Sequence, residues 1–332
     1  MAVPAVGHLT SFTRTSRGLC DRHGEWVLAS ARVAPQTGRM RVLVLALLVV
    51  AGCWHRGGAS GDGAAGSRGD GRELTLPPDL GDAARLRNII TRLPVIGVIE
   101  EGPTPVVIRG HVPRGDVRGL VALARLVHRD VNRRFVRPRD KAHPPIDLVL
   151  FDDDATYQAI ALGYARVPAG QGFYRPDARV AAVNLARGRG NLRHELVHPL
   201  IVDDFPRIPA WLNEGIASMY GGARVRRGRL QFIANYRLRD LQLAIAHRTL
   251  PGRNRLAFAD RTELYGPDGA TYYAVSQHVV LYLDRIGRLD AFYRAVRAAP
   301  MQRGAALAAT VDWARFVRWA RGLREGRRPP RP

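Results

Sequence analysis

The chain has 332 residues, 46% of them hydrophobic and 24% charged, a balance that allows a sizeable core and excludes a fibrous or fully disordered polypeptide. Lys and Arg number 51 against 29 acidic residues, a formal charge of +22, which raises polyanions as partners. Against nucleic acid stand the single lysine, Lys141, an Ala, Gly and Pro richness that marks compositional bias, and arginines that are scattered with few interleaved aromatics.

Near the start, Arg39-Met40-Arg41 precedes ten apolar residues, Val42 to Ala51, and then Gly52-Cys53. A basic start, a short apolar run and small residues before a cut describe an export signal, and ten residues are about half of the roughly 20 that span a bilayer. Val50-Ala51-Gly52-Cys53 resembles the bacterial lipobox, which implies a signal peptide over 40–53, acylation of Cys53 and a membrane-held protein of the bacterial envelope, in the periplasm or at the cell surface. Met40 is then the expected start, and 1–39 a doubtful upstream segment. The other cysteine, Cys20, lies before the cut, so disulfides are not expected to contribute. Residues 54–80 are crowded with glycine and serine and read as a flexible linker. A folded domain is expected over 81–325, with an unfolded tail over 326–332.

In that domain, 82–93 is weakly helical and stops before Pro94. A strand is expected over 105–112. Val117, Leu120, Val121, Ala124, Val127, Val131 and Phe135 then recur at helical spacing, a structural stripe beside which His128 has no assigned role. The continuous apolar run Ile146 to Phe151 reads as a buried strand. Asp152-Asp153-Asp154 follows it and reads as a helix cap rather than a cation site. Strands over 172–175 and 179–185, turned by Pro176-Asp177, lead into the stretch that carries chemistry.

That stretch contains His194-Glu195-Leu196-Val197-His198 and, sixteen residues beyond the second histidine, Glu214 within Trp211-Leu212-Asn213-Glu214-Gly215. Histidines four apart on a helix share a face, with Cβ atoms about 5–6 Å apart, so both imidazoles can reach one ion. Glu195 points into the same cleft and can take a proton from an attacking water. Pro209 opens a second helix that could aim Glu214 at the histidines and complete a His2Glu set. Asn191 is the expected N-cap of the first helix. Pro199 should bend or stop it, since a proline removes one hydrogen bond at a cost of about 3 kcal/mol.

The two motifs together resemble the gluzincin metallopeptidases of the peptidase MA clan, in particular bacterial members with a Pro-x-Trp-Leu-x-Glu-Gly helix after the His-Glu-x-x-His. The resemblance implies Zn2+ held by His194, His198 and Glu214, Glu195 as general base, a peptide or protein substrate, and an edge strand that lines the cleft. Position 218, often acidic in that family, is Ser218 here, and Asp203 or Asp204 is left either to orient a ligand histidine or to solvate a loop. An oxyanion donor is also implied. Tyr265, Tyr272, Tyr273 and His278 are the choices, and Tyr273 is preferred because it falls off its helix's apolar stripe.

Helices over 235–247, from Asp268 to Gly287, over 290–297 and over 312–323 complete the reading. The fold expected is α+β and zincin-like: a small sheet with helices in the N-terminal half, the active-site helix at the cleft and a helical C-terminal half. The expected function is zinc-dependent peptide hydrolysis. The alternative is a catalytically inactive zincin-like envelope lipoprotein that binds a partner or polyanion. Oligomeric state is not legible.

Overall fold

The computed structural model describes residues 82–138, 142–163 and 170–332. The expected upstream segment, signal peptide with Cys53, and linker lie outside the described residues. No helix among the described residues is long and apolar enough to cross a membrane.

Five strands, β1 (Val95–Ile99), β2 (Val106–His111), β3 (Ile146–Phe151), β4 (Gly172–Arg175) and β5 (Val180–Asn184), form one sheet in the order β1, β2, β3, β5, β4. β2, β3 and β5 run parallel, and β1 and β4 flank them antiparallel. β3 is buried along its whole length because both faces of the sheet are covered. Ile146, Leu148 and Leu150, with Ala181 and Val183 of β5, face the main core. The alternate residues Val149, Phe151, Val180 and Ala182 face a smaller core beneath helices α1 (Asp82–Thr91) and α3 (Asp154–Gly163). Period-two alternation thus sends each strand into two cores. Asp147, on the second face, is held by Arg109 at 2.6 Å.

Strand β1 was not legible. Its Gly97 sits at a register shift against β2. A Cβ there would come within 2.7 Å of Val121, so the glycine lets helix α2 (Arg114–Arg134) lie close on the sheet. His128 of α2 is buried, its Nε2 bonded to the Thr104 carbonyl at 2.9 Å. The capping role expected of the acidic triplet falls to Asp153, which accepts from Ala155 N and Thr156 N.

Helix α4 (Gly190–Asp204) carries the two histidines and α5 (Ala210–Gly221) carries Glu214. Of the two outcomes expected at Pro199, a bend or a stop, the stop does not occur. The helix runs on to Asp204 because Leu196, Val197, Leu200 and Ile201 are all buried in the main core, and that burial outweighs one missing backbone hydrogen bond. Nor does Asn191 cap it. The helix starts at Gly190, and the Asn191 side chain instead donates to the Asn184 carbonyl at 3.0 Å, tying α4 to the end of β5.

The two aspartates at the end of α4 neither solvate a loop nor orient a histidine. Asp203 takes a bidentate pair from Arg179, at 2.9 and 2.8 Å, and a hydrogen bond from Thr104, which pins α4 to the sheet. Asp204 accepts from Tyr293 at 2.9 Å, from Arg137 N and from Arg297, which pins it to the helical half. Carboxylates at a helix C-terminus oppose its dipole; the arginines supply the missing cations.

After α5 come a short hairpin, β6 (Arg224–Arg226) and β7 (Arg229–Gln231), and helices α6 (Leu238–Ala246), α7 (Arg253–Phe258), α8 (Arg261–Tyr265), α9 (Gly269–Arg285), α10 (Leu289–Ala298), α11 (Arg303–Thr310) and α12 (Trp313–Arg321). The architecture is α+β, with a mixed sheet followed by a helical half. α5 lies between α4 and α9. The tail expected to stay unfolded packs back instead: Trp319 Nε1 donates to the Pro330 carbonyl at 3.1 Å, Arg315 to that of Pro332 at 2.8 Å, and Pro329 is buried. Prolines are already restricted when unfolded, so holding them against aromatic and arginine side chains costs little entropy.

Candidate metal centre

The centre is set by how α4 and α5 are clamped. Arg193, one residue before the first histidine, donates to the carbonyls of Tyr220 at 3.0 Å and Gly221 at 2.7 Å. It thereby bonds the last two carbonyls at the end of α5 and ties the two helices together. On the far side of α5, Gly215 lies against α9 so closely that a Cβ would stand 2.7 Å from the Ser276 carbonyl oxygen. The glycine after Glu214 is therefore a packing requirement, and it holds the carboxylate at a fixed depth.

These constraints bring together the three residues singled out from sequence. Donor atoms of His194, His198 and Glu214 all lie within 4.8 Å of one another. Glu214 Oε2 is 3.3 Å from His194 Nε2 and 3.9 Å from His198 Nε2, and the two rings meet edge-on with centroids 4.9 Å apart. All three side chains are largely buried. His194 is the most open, at 20%.

The pattern of satisfied and unsatisfied atoms fits a metal. Glu214 Oε1 accepts from the Tyr265 hydroxyl at 3.1 Å, whereas Oε2 is buried, makes no well-directed hydrogen bond and faces both imidazoles, with His194 Nε2 nearest at 3.3 Å. An orphaned buried carboxylate oxygen costs about 1–3 kcal/mol or more unless something cationic meets it. His198 Nδ1 lies 3.2 Å from Asn213 Oδ1. That oxygen only accepts, so the imidazole proton sits on Nδ1 and the Nε2 lone pair is free. Two neutral nitrogens and one carboxylate oxygen can hold a metal ion.

The electrostatics agree. Burial raises the Glu214 pKa, but the two histidines, with Tyr265, outweigh it and hold the carboxyl down at about 2. His198 is lowered, chiefly by burial, and is neutral as a ligand must be. For His194, burial lowers the pKa, but the close pairing with the Glu214 carboxylate and the charge of Glu195 win and raise it.

Glu195 stands outside the three-ligand set. It is buried, and burial pushes its carboxyl up to about 7, with His194 opposing and Glu214 adding to the rise. Its carboxylate rests directly on β4, the last strand of the sheet: a Cβ on Gly172 would meet Glu195 Cγ at 2.3 Å and Oε1 at 2.5 Å. Gly172 is thus the space that Glu195 occupies.

Tyr273 is half-buried one step from the centre. Its ring packs against that of Tyr265 at 6.1 Å and under the Arg237 guanidinium at 4.6 Å, and its hydroxyl engages that of Tyr265. Tyr265, an alternative in the sequence reading, is the tyrosine that touches Glu214. Tyr265 is 66% exposed as a whole, but loss of solvent around its hydroxyl, and then that carboxylate, push the hydroxyl up to about 12. His278 is fully buried, with Nδ1 donating to the Ala274 carbonyl at 2.7 Å, and Tyr272 is buried with its hydroxyl unpartnered. Ser218 is likewise buried without a partner, so the orienting task falls to Asn213.

No protein-family model matches the chain, and no curated protein matches it.

Proposed function

We propose that the chain is a zinc-dependent metallopeptidase of zincin-like fold, related to the gluzincins. The observation that carries this reading is the convergence of His194, His198 and the Glu214 oxygen that faces them within 4.8 Å, with a second buried carboxylate, that of Glu195, beside them. Two nitrogens and one oxygen are the donor set of many catalytic zinc sites. A bound zinc ion would polarise a peptide carbonyl and make water acidic enough to attack at neutral pH.

The chain's own residues supply the rest. Asn213 and Tyr265 hold two of the ligands in orientation. Glu195 accepts the proton of the attacking water and delivers it to the leaving amine nitrogen, a transfer favoured by a carboxyl whose pKa is close to the working pH. β4 is the terminal strand of the sheet and carries Gly172 over Glu195. An extended substrate paired along its free edge would pass the base. Tyr273, through Tyr265, steadies the developing oxyanion.

The test is zinc content together with peptide cleavage. Wild type binds about one equivalent of zinc and cleaves peptides. Glu195→Gln keeps the metal and loses about 10²–10⁴-fold in rate; equal rates in the two proteins would end the proposal. The enzyme is further proposed to be tethered to the bacterial envelope through a lipid on Cys53 and the 54–80 linker. Cys53→Ser is then expected to move it from the membrane to the soluble fraction, and an unchanged distribution would refute the anchor.

A further inference from the structure

A second concentration of charge lies away from the metal centre. A cavity of about 790 Å3 opens between the β6–β7 hairpin, the last turn of α9 and the C-terminal tail, and its walls carry Arg226, Arg227, Arg229, Arg285 and Arg328. Asp284 is the one carboxylate on the lining. It is already engaged by Arg134 at 2.7 Å, an arginine that also reaches Asp290 at 3.0 Å. Among the described residues, none of the five wall arginines is ion-paired with a carboxylate. From Tyr273 to Arg285 the separation along α9 is about 18 Å, so the cavity is distinct from the metal site.

Local structure works against this gathering of charge. Arg226 sits directly across from Arg229 in the hairpin, and like charges opposite one another weaken a strand pair. Arg227 and Gly228 both have positive φ, 51° and 70°, the turn geometry that prefers Asn or Asp before Gly. Arginine there carries a backbone cost that asparagine would avoid. Arg285 Nε is buried without a partner. Its guanidinium is held below the usual arginine range by burial first and then by Arg328 and Arg331, against the pull of Asp284. Unpaired guanidiniums converging on one concavity are stabilised when a multivalent anion enters, and their planar forks match phosphate oxygens. The volume suits a compact ligand. Phe232, the one aromatic on the wall, lies under the Arg134 guanidinium at 5.5 Å, so no stacking platform for a nucleic-acid strand is present there.

We propose that this cavity binds a compact polyphosphorylated group, a small molecule or lipid headgroup carrying at least two phosphates. The test uses the full chain at physiological salt. Inorganic tripolyphosphate is expected to bind saturably by calorimetry, and the variant Arg226→Gln/Arg229→Gln/Arg285→Gln to bind it about tenfold or more weakly. Removing the same charge from exposed positions elsewhere, Arg92→Gln/Arg248→Gln/Arg294→Gln, should change affinity by no more than about twofold. Arg227→Asn relaxes the turn, so it should weaken binding while leaving Tm equal or higher, which separates lost binding from lost folding. Phosphatidylcholine vesicles with and without cardiolipin, whose headgroup carries two phosphates, distinguish the sources. Cardiolipin-dependent sedimentation that tripolyphosphate competes away and the pocket variant loses assigns a headgroup; calorimetric binding without such sedimentation assigns a soluble ligand. The proposal is overturned by absence of saturable binding, by equal weakening in the two triple variants, or by an oligonucleotide that binds regardless of the pocket changes.

Discussion

The candidate metal centre and the arginine cavity lie toward opposite ends of α9 and solve the problem of holding charge in opposite ways. At the candidate metal centre, one carboxylate faces two imidazoles on two clamped, buried helices, with one Glu214 oxygen aimed between the histidines. In the cavity, five like charges sit on a short exposed hairpin, a helix end and the tail, with the nearby carboxylate already taken. The first arrangement is preorganised and tolerates little change in shape. The second depends on net charge and is far less sensitive to where any one atom lies.

Steric perturbation should sharpen that contrast most. Gly172→Ala places a methyl group where Glu195 now lies, and a displacement of about 1 Å at a reacting group can cost roughly 10²-fold in rate. Peptide cleavage should fall by about that factor while zinc content and tripolyphosphate affinity hold; an unaltered rate would show that Glu195 is not confined by β4. Next in size is Asn213→Ala, which leaves His198 Nδ1 without its acceptor. Zinc affinity, measured by competition with a chelator, should drop about 10–100-fold, again with no effect on the cavity.

The smallest effect expected is a difference in pH response. Protons and metal compete for the imidazole Nε2 atoms. Because the pKa of His194 is raised above 6.5, chiefly by Glu214 and Glu195 against the effect of burial, protonation begins to displace metal at a higher pH than for an isolated histidine. Glu214, held at about 2, stays ionised throughout. Zinc loading should therefore decline as pH falls from 8 toward about 6. The cavity's guanidiniums do not titrate over that range, so tripolyphosphate affinity should change only as far as the ligand's own phosphates take up protons. Parallel pH profiles for the two ligands would break the comparison.

Much of the metal centre was legible because its parts are close in sequence and sit on regular elements. A spacing of four on a helix fixes the two histidines on one face, and a proline-started helix carrying Glu214 is short enough for its register to be read. The parallel strands were legible for a similar reason: β3 and β5 are apolar on both faces. What escaped were features that depend on a neighbour distant in sequence. Asn213 gave no hint of its role until α5 was packed on α4. Gly172 read as the start of a strand, not as room for Glu195. Tyr265 competed with three other rings until α8 brought its hydroxyl to Glu214. Asp203 and Asp204 looked like solvated loop residues because their partners, Arg179 and Arg297, lie 24 and 93 residues away.

By itself, then, the sequence determined the α+β order of elements, the histidine pair with its glutamates and the expected chemistry, because local periodicity and capping are properties of a few consecutive residues. Only the tertiary structure decided that α4 continues through Pro199, that Asn213 rather than an aspartate orients His198, that the tail packs back, and that arginines scattered from 226 to 328 converge on one cavity. Each of these follows from burial or charge summed over segments far apart in the chain, and no window of sequence contains that sum.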